Sequence, residues 1–166
     1  MRLTRICGGL ALAVGLGLGM AGTVPGRANA QGIDDLAGRW RGEGRLTLND
    51  EPAQRFRCQI RLRPADARRV VYSGRCATAQ GAQSFVYVLT IEGGAVLAQN
   101  TSQPPDDLPA QMHGTLGDGV LRFSDPGGAL FELRPHPEGL AFRLEGDGPE
   151  GRARGEVVLR RQADTD

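Results

Sequence analysis

Residues 54–78 read QRFRCQIRLRPADARRVVYSGRCAT, and this stretch decides the fold. Within Gln54–Arg63, Phe56, Cys58, Ile60 and Leu62 alternate with Arg55, Arg57, Gln59, Arg61 and Arg63. Within Val70–Thr78, Val70, Tyr72, Gly74 and Cys76 share one face. Such period-two alternation marks strands with one buried and one wet face. Pro64–Arg69 forms the turn region between them. A hairpin centred on Ala67 places opposite one another the residues whose numbers sum to 134. Cys58 then faces Cys76, Ile60 faces Gly74 and Leu62 faces Tyr72. Opposed residues of an antiparallel pair lie about 4.5–5.5 Å apart at Cα, within the span of a disulfide. The turn sets the register and the cysteines agree with it. A Cys58–Cys76 bridge is therefore expected, contributing on the order of 3 kcal/mol.

The same alternation extends in both directions. Upstream, Arg39–Leu48 puts Trp40, Gly42, Gly44, Leu46 and Leu48 on one face, and Arg39, Arg41, Glu43, Arg45 and Thr47 on the other. Downstream, strands are expected at Ser84–Ile91, Ala95–Asn100, Ala110–Leu116, Val120–Ser124, Ala129–Arg134, Leu140–Glu145 and Arg154–Arg161. Glycine-rich breaks such as Glu92-Gly93-Gly94 and Gly117-Asp118-Gly119 separate them, as hairpin turns needing positive φ require. Helical spacing is confined to a turn at Asp34–Ala37. About eight to ten short strands with hairpin turns fit an all-β fold, either a sandwich or a closed up-and-down barrel, and so many hairpins in sequence order favour the small antiparallel up-and-down barrel. Closure removes the exposed edges that invite aggregation. The longest connection, Thr101–Pro109, reads as a surface loop in preference to a lid.

The first thirty residues read as a targeting segment. Arg2 and Arg5 precede an uncharged apolar run, Gly8–Met20, and Ala28-Asn29-Ala30 supplies a signal peptidase site. Thirteen apolar residues are too few to cross about 30 Å of hydrocarbon as a helix. Residues 31–166 then form a single domain, long enough for a core of its own, in a periplasmic or secreted protein. Cys58 and Cys76 are the two cysteines it retains, which suits an oxidising compartment. Every basic residue of the chain is Arg, so lysine chemistry is excluded. No transmembrane segment is expected after cleavage.

The opening Leu36-Ala37-Gly38-Arg39-Trp40-Arg41-Gly42-Glu43-Gly44 resembles the Gly-x-Trp start of small lipocalin-like, calycin-type barrels, with Gly38 and Trp40 on the motif. The resemblance implies that the tryptophan closes one end of the barrel and that an arginine of the last strand, Arg160 or Arg161, packs on it. The same opening, with Arg57-Cys58 and Arg75-Cys76-Ala77, is similar to uncharacterised exported proteins of alpha-proteobacteria. It also resembles bacterial protease-inhibitor barrels, which implies an inhibitory role for the stretch Gln31–Ala37.

Candidate site residues follow from the faces. Trp40, Gly42 and Gly44 are either the floor of a ligand cavity or a place where strands pack closely. Tyr72 and Tyr87, with Phe85, are candidates for ligand contact or for core packing. Phe123, Phe131, Leu133, Phe142 and Leu144 read as packing. Arg39, Arg41, Arg45, Arg55, Arg57, Arg61 and Arg63 form a basic outer wall, either solvated or matched to an anionic partner. Residues 31–80 hold ten Arg against six acids, whereas residues 81–166 hold seven against thirteen. The wall lacks the interleaved aromatics of nucleic-acid binders, so nucleic acid is not expected as a partner. His113 and His136 have no metal-ligand spacing, and no nucleophile motif is present. No metal, cofactor or catalytic residue is expected.

These readings predict an exported lipocalin-like binding protein, not an enzyme. Its partner would be a small hydrophobic molecule or lipid in the barrel, or else another protein. The alternatives are a periplasmic inhibitor of exported proteases acting through its N-terminal segment, and a non-catalytic structural protein of the envelope.

Overall fold

The computed structural model describes residues 27–148 and 151–163. One helix, α1 (Arg27–Leu36), precedes ten strands: β1 (Gly38–Leu48), β2 (Gln54–Pro64), β3 (Arg69–Ala77), β4 (Ala82–Glu92), β5 (Ala95–Asn100), β6 (Gln111–Gly117), β7 (Val120–Ser124), β8 (Leu130–His136), β9 (Gly139–Gly148) and β10 (Gly151–Gln162). Each strand pairs antiparallel with the next, and β1 pairs with β10 to close the barrel. All ten expected strands are present, with ends within three residues of the sequence reading.

The hairpin register holds as derived from the turn. Cys58 faces Cys76, Ile60 faces Gly74 and Leu62 faces Tyr72. The two cysteines are disulfide-bonded, with Cα atoms 4.2 Å apart.

Up-and-down topology gives the barrel two distinct ends. At one end lie the chain entry into β1 and the short turns 65–68, 93–94, 118–119 and 137–138. At the other lie the connections 49–53, 78–81, 101–110 and 125–129. Helix α1 covers the first end, burying Ile33 and Leu36 in the core and packing against β6. It is longer than the single turn at Asp34–Ala37 that the spacing suggests. Its first turn falls within Arg27–Ala30, residues that read as the end of the targeting segment, and Gly32 interrupts its apolar pattern. Residues 1–26, which hold the rest of that segment, lie outside the described residues.

Ten strands enclose more space than the side chains of an eight-stranded barrel fill. Near the helix the interior is filled by branched aliphatics such as Leu62, Leu89, Leu121, Leu133 and Leu159, all fully buried. Across the middle, rings of Tyr72, Phe85, Tyr87, Phe123, Phe131 and Phe142 meet at centroid distances of 5.1–6.2 Å. Aromatic contacts in this range contribute beyond their buried area. The fill stops there, and the far end stays open.

Candidate functional site

The helix-covered end is sealed by a polar clasp around Trp40. The indole Nε1–H donates to the Leu36 carbonyl at 2.9 Å. The Arg161 guanidinium lies 4.5 Å from the Trp40 ring centroid and donates to the carbonyls of Ala37 (2.7 Å) and Asp35 (2.9 Å). These carbonyls lie at the C-terminal end of α1, on Asp35 in its last turn and on Ala37 just past it, where such groups lack helical partners and attract cations. Of the two arginines the resemblance pointed to, Arg161 fills the role, because it stands directly opposite Trp40 in the β1–β10 register. Arg160 points away and pairs with Glu138.

Gly42 and Gly44 do not open space above Trp40. A Cβ at Gly42 would lie 1.9 Å from the Val158 carbonyl oxygen, and one at Gly44 would lie 1.8 Å from that of Glu156. The volume that two absent side chains suggest is occupied by the backbone of β10. Close strand approach is the reason for these glycines.

The open end holds a cavity of about 630 Å³. Its apolar surface comes from Leu46, Leu48, Phe56, Phe85, Phe131 and Leu144, with the Cys76 arm of the disulfide beside them. Gln54, Thr78, Gln80 and Gln83 supply neutral polar groups, and Asp107, Asp125, Glu145 and Asp147 supply carboxylates. A mostly apolar concavity of this size with a few convergent polar groups suits a small ligand.

The 101–110 connection belongs to this site. Tyr87 donates its hydroxyl hydrogen to the Pro109 carbonyl at 2.9 Å. Asp106 Oδ1 accepts from Asn100 Nδ2 at 2.7 Å and from the Leu108 N–H at 3.1 Å. The Val86 N–H donates to Ser102 Oγ at 2.9 Å. These bonds tie the loop to β4 and β5 and hold Asp107, Leu108 and Pro109 against the cavity. The loop forms a fixed part of the mouth, more than the plain surface connection its sequence suggests.

Trp40, Gly42, Gly44, Tyr72 and Tyr87 are not among the residues lining this cavity. Trp40 lies at the opposite end. Tyr72 and Tyr87 are fully buried in the aromatic layer beneath it. Burial pushes both hydroxyls well above the ordinary tyrosine range, and for Tyr87 the charges of Asp106 and Asp125 add to the rise. The Tyr72 hydroxyl has no hydrogen-bond partner. Phe85 does line the cavity, as do Phe131 and Leu144, which the alternation reads as ordinary core. The signal that separates them is position along the strand. Once Trp40 marks the covered end, Leu46 and Leu48 lie about 20 Å and about 26 Å further along β1, at the other mouth.

Arg39, Arg41, Arg45, Arg55, Arg57, Arg61 and Arg63 are all exposed on the outer faces of β1 and β2. Arg39 stands opposite Arg61, Arg45 opposite Arg55, and Arg41 opposite Arg160. Glu43 relieves part of this repulsion by pairing with Arg55 and, at 3.3 Å, with Arg57. His113 lies beside the Gln111 side chain, and His136 Nδ1 accepts from the Glu138 N–H at 3.2 Å. No group of three or more His, Cys, Asp or Glu side chains among the described residues could hold a metal ion. No helix among them is long and apolar enough to cross a membrane.

The segment Gln31–Ala37 is folded and not a free tail. Leu36 is fully buried, and the clasp of Trp40 and Arg161 holds the last turn of α1. Entry into a protease cleft would require undoing that packing.

No protein-family model matches the sequence, and no curated protein matches it. Solved structures resemble its fold. The S-type phycobiliprotein lyase of Guillardia theta superposes with a TM-score of 0.56 at 11% identity, covering 86% of this chain and 97% of the lyase. A protein of unknown function from the DUF3598 family, from Nostoc punctiforme, superposes with a TM-score of 0.52 at 20% identity, covering 78% of this chain. The match spans about half, 49%, of that second protein. At these identities the likeness concerns the barrel itself.

Proposed function

We propose that this protein is a lipocalin-like carrier that holds a small ligand with an apolar body in the open end of its barrel. The observation that carries this reading is the cavity of about 630 Å³, apolar inside and polar at its mouth, left where the aromatic layer ends. The clasp of Arg161 on Trp40 supports the lipocalin-like assignment. The likeness to a phycobiliprotein lyase supports a barrel that receives a small molecule. The reading assigns no catalytic role to any residue. It places the protein outside the cytoplasm, in the periplasm or the medium, with Gln31 as the first residue of the exported form. A chain beginning there keeps Ile33 and Leu36, which the core requires.

Native mass spectrometry of the protein taken from its own host's envelope without detergent tests this directly. The expected result is a reproducible added mass on an oxidised chain starting at Gln31. That mass should vanish in Leu48→Trp, which fills the mouth. A bare mass, together with no uptake of any amphiphilic probe by the purified protein, would overturn the carrier reading in favour of a ligand-free envelope component.

A further inference from the structure

Cations are plentiful in this chain but are kept out of the cavity. Its 20 basic residues are all arginine, and none is among the residues that line the cavity. Four acids do line it, brought together from separate places in the chain: Asp107 from the 101–110 connection, Asp125 from the β7–β8 turn, and Glu145 and Asp147 from the end of β9. Glu145 is neutralised, since both Arg143 and Arg152 pair with it. Asp125 uses one oxygen to accept from the Ala129 N–H at 2.7 Å. Asp107 and Asp147 form no ion pair with any described residue, although Asp147 stands opposite Arg152, whose guanidinium goes to Glu145. Beside Asp107, the second carboxylate oxygen of Asp106 is buried without a partner.

Resting on the carrier reading above, we infer that the cavity selects amphiphiles with a cationic head, an amine or quaternary ammonium on an apolar body. The apolar body lies against Phe56, Phe85, Phe131 and Leu144, where burial of apolar surface supplies the affinity. The head stays at the mouth, near Asp107 and Asp147. Ionised carboxylates only accept hydrogen bonds, so an ammonium meets them well, while a carboxylate or phosphate head meets like charge at a mouth where the guanidiniums of Arg143 and Arg152 are already paired with Glu145. Selection thus comes as much from rejecting anionic amphiphiles as from attracting cationic ones.

Calorimetric titration of the full-length protein with decyltrimethylammonium, decanol and decyl sulfate, each below its micellar concentration, separates the claims. The cationic probe is expected to bind about tenfold more tightly than the anionic one at low salt. That preference should shrink as ionic strength rises. It should also shrink in the double variant Asp107→Asn/Asp147→Asn. Both cavity-filling variants, Leu48→Trp and the rim substitution Ala82→Trp, should abolish the cation's binding; Ala82 is exposed, so the second does not strain the core. Equal or tighter binding of decyl sulfate that is lost in these variants would overturn the charge selection and leave the carrier reading standing. Absence of binding by all three probes, or binding that neither variant changes, would overturn the carrier reading itself.

Discussion

Arg161 lies over the Trp40 ring, 4.5 Å from its centroid, and binds the end of helix α1 at the same time, so one side chain of the last strand locks the first strand, the helix and the barrel seam together. The cation–π contact contributes about 0.5–1 kcal/mol at an exposed site. The two hydrogen bonds to terminal helix carbonyls add to it. Arg161→Ala should therefore cost about 1–2 kcal/mol in urea unfolding, with faster amide exchange in Leu36–Trp40. Arg161→Lys should recover little, because an ammonium cannot stack and reach both carbonyls together. Unchanged exchange in that segment would show that the clasp does not hold the helix.

Substitution of Gly42 tests the packing of the seam. Any side chain there must displace the Val158 carbonyl, which is held in the β1–β10 ladder. Gly42→Leu is expected to give no soluble folded barrel, and Gly42→Ala to be severely destabilised. A well-folded Gly42→Leu with native near-ultraviolet dichroism would mean that β1 and β10 are further apart at this point than the structure shows.

The fold was legible in the sequence for a reason visible in these residues. Every strand but β8, whose residues Leu130, Phe131, Glu132 and Leu133 are all buried, has one face in the core and one turned to water, so alternation carries from Arg39 to Arg161. The cysteines checked one register independently. The helix was harder to see because its first four residues, Arg27–Ala30, overlap a segment that reads as a targeting signal. The cavity was not legible at all. Phe131 and Leu144 obey the same alternation whether they touch other side chains or a hollow. What distinguishes them is the place where the aromatic layer ends, and that depends on ring packing across strands far apart in sequence. Trp40, Gly42 and Gly44 share one face of β1, yet Trp40 marks the sealed end and the two glycines mark the close approach of β10.

The two buried tyrosines should respond oppositely to loss of their hydroxyls. The Tyr72 hydroxyl is buried without a partner, an arrangement that costs on the order of 1–3 kcal/mol. Tyr72→Phe keeps the ring packing on Phe85 and Phe123, so stability should be unchanged or raised by up to about 1 kcal/mol. Tyr87→Phe loses the bond to the Pro109 carbonyl and should cost about 1 kcal/mol, with increased exchange in residues 101–110. A clear loss of stability in Tyr72→Phe would point to a hydrogen-bond partner for that hydroxyl, such as buried water.

Glu145 gives the cavity mouth an acid-sensitive element. Its carboxylate is held below the usual range chiefly by its hydrogen bond to Arg143, against an opposing effect of burial and with help from Arg152. A carboxyl whose folded pKa lies below its unfolded value, about 4.3, stabilises the protein above that value. The contribution is lost as pH falls through the lower, folded pKa. Glu145→Gln should therefore be less stable than the native protein at pH 7, and the difference should narrow as pH drops below about 4. Chemical denaturation across that range checks it. A difference that stays constant with pH would show that the ion pairs with Arg143 and Arg152 add nothing to the folded state.

The disulfide joins two strands that already pair, and it borders the cavity through Cys76. Its stabilisation comes mainly from restricting the unfolded chain, on the order of 3 kcal/mol for a loop of this length. The double variant Cys58→Ala/Cys76→Ala should lower stability by about that amount, plus a smaller cost for the space left beside Phe56 and Phe85. Hydrophobic alternation and the β2–β3 ladder persist without the bridge, so the barrel should still form. Ligand uptake should weaken less than stability does, since the remaining wall keeps Phe85, Phe131 and Leu144 in place. Loss of all folded structure under reducing conditions would instead mean that the apolar core alone cannot hold ten strands closed around an open mouth.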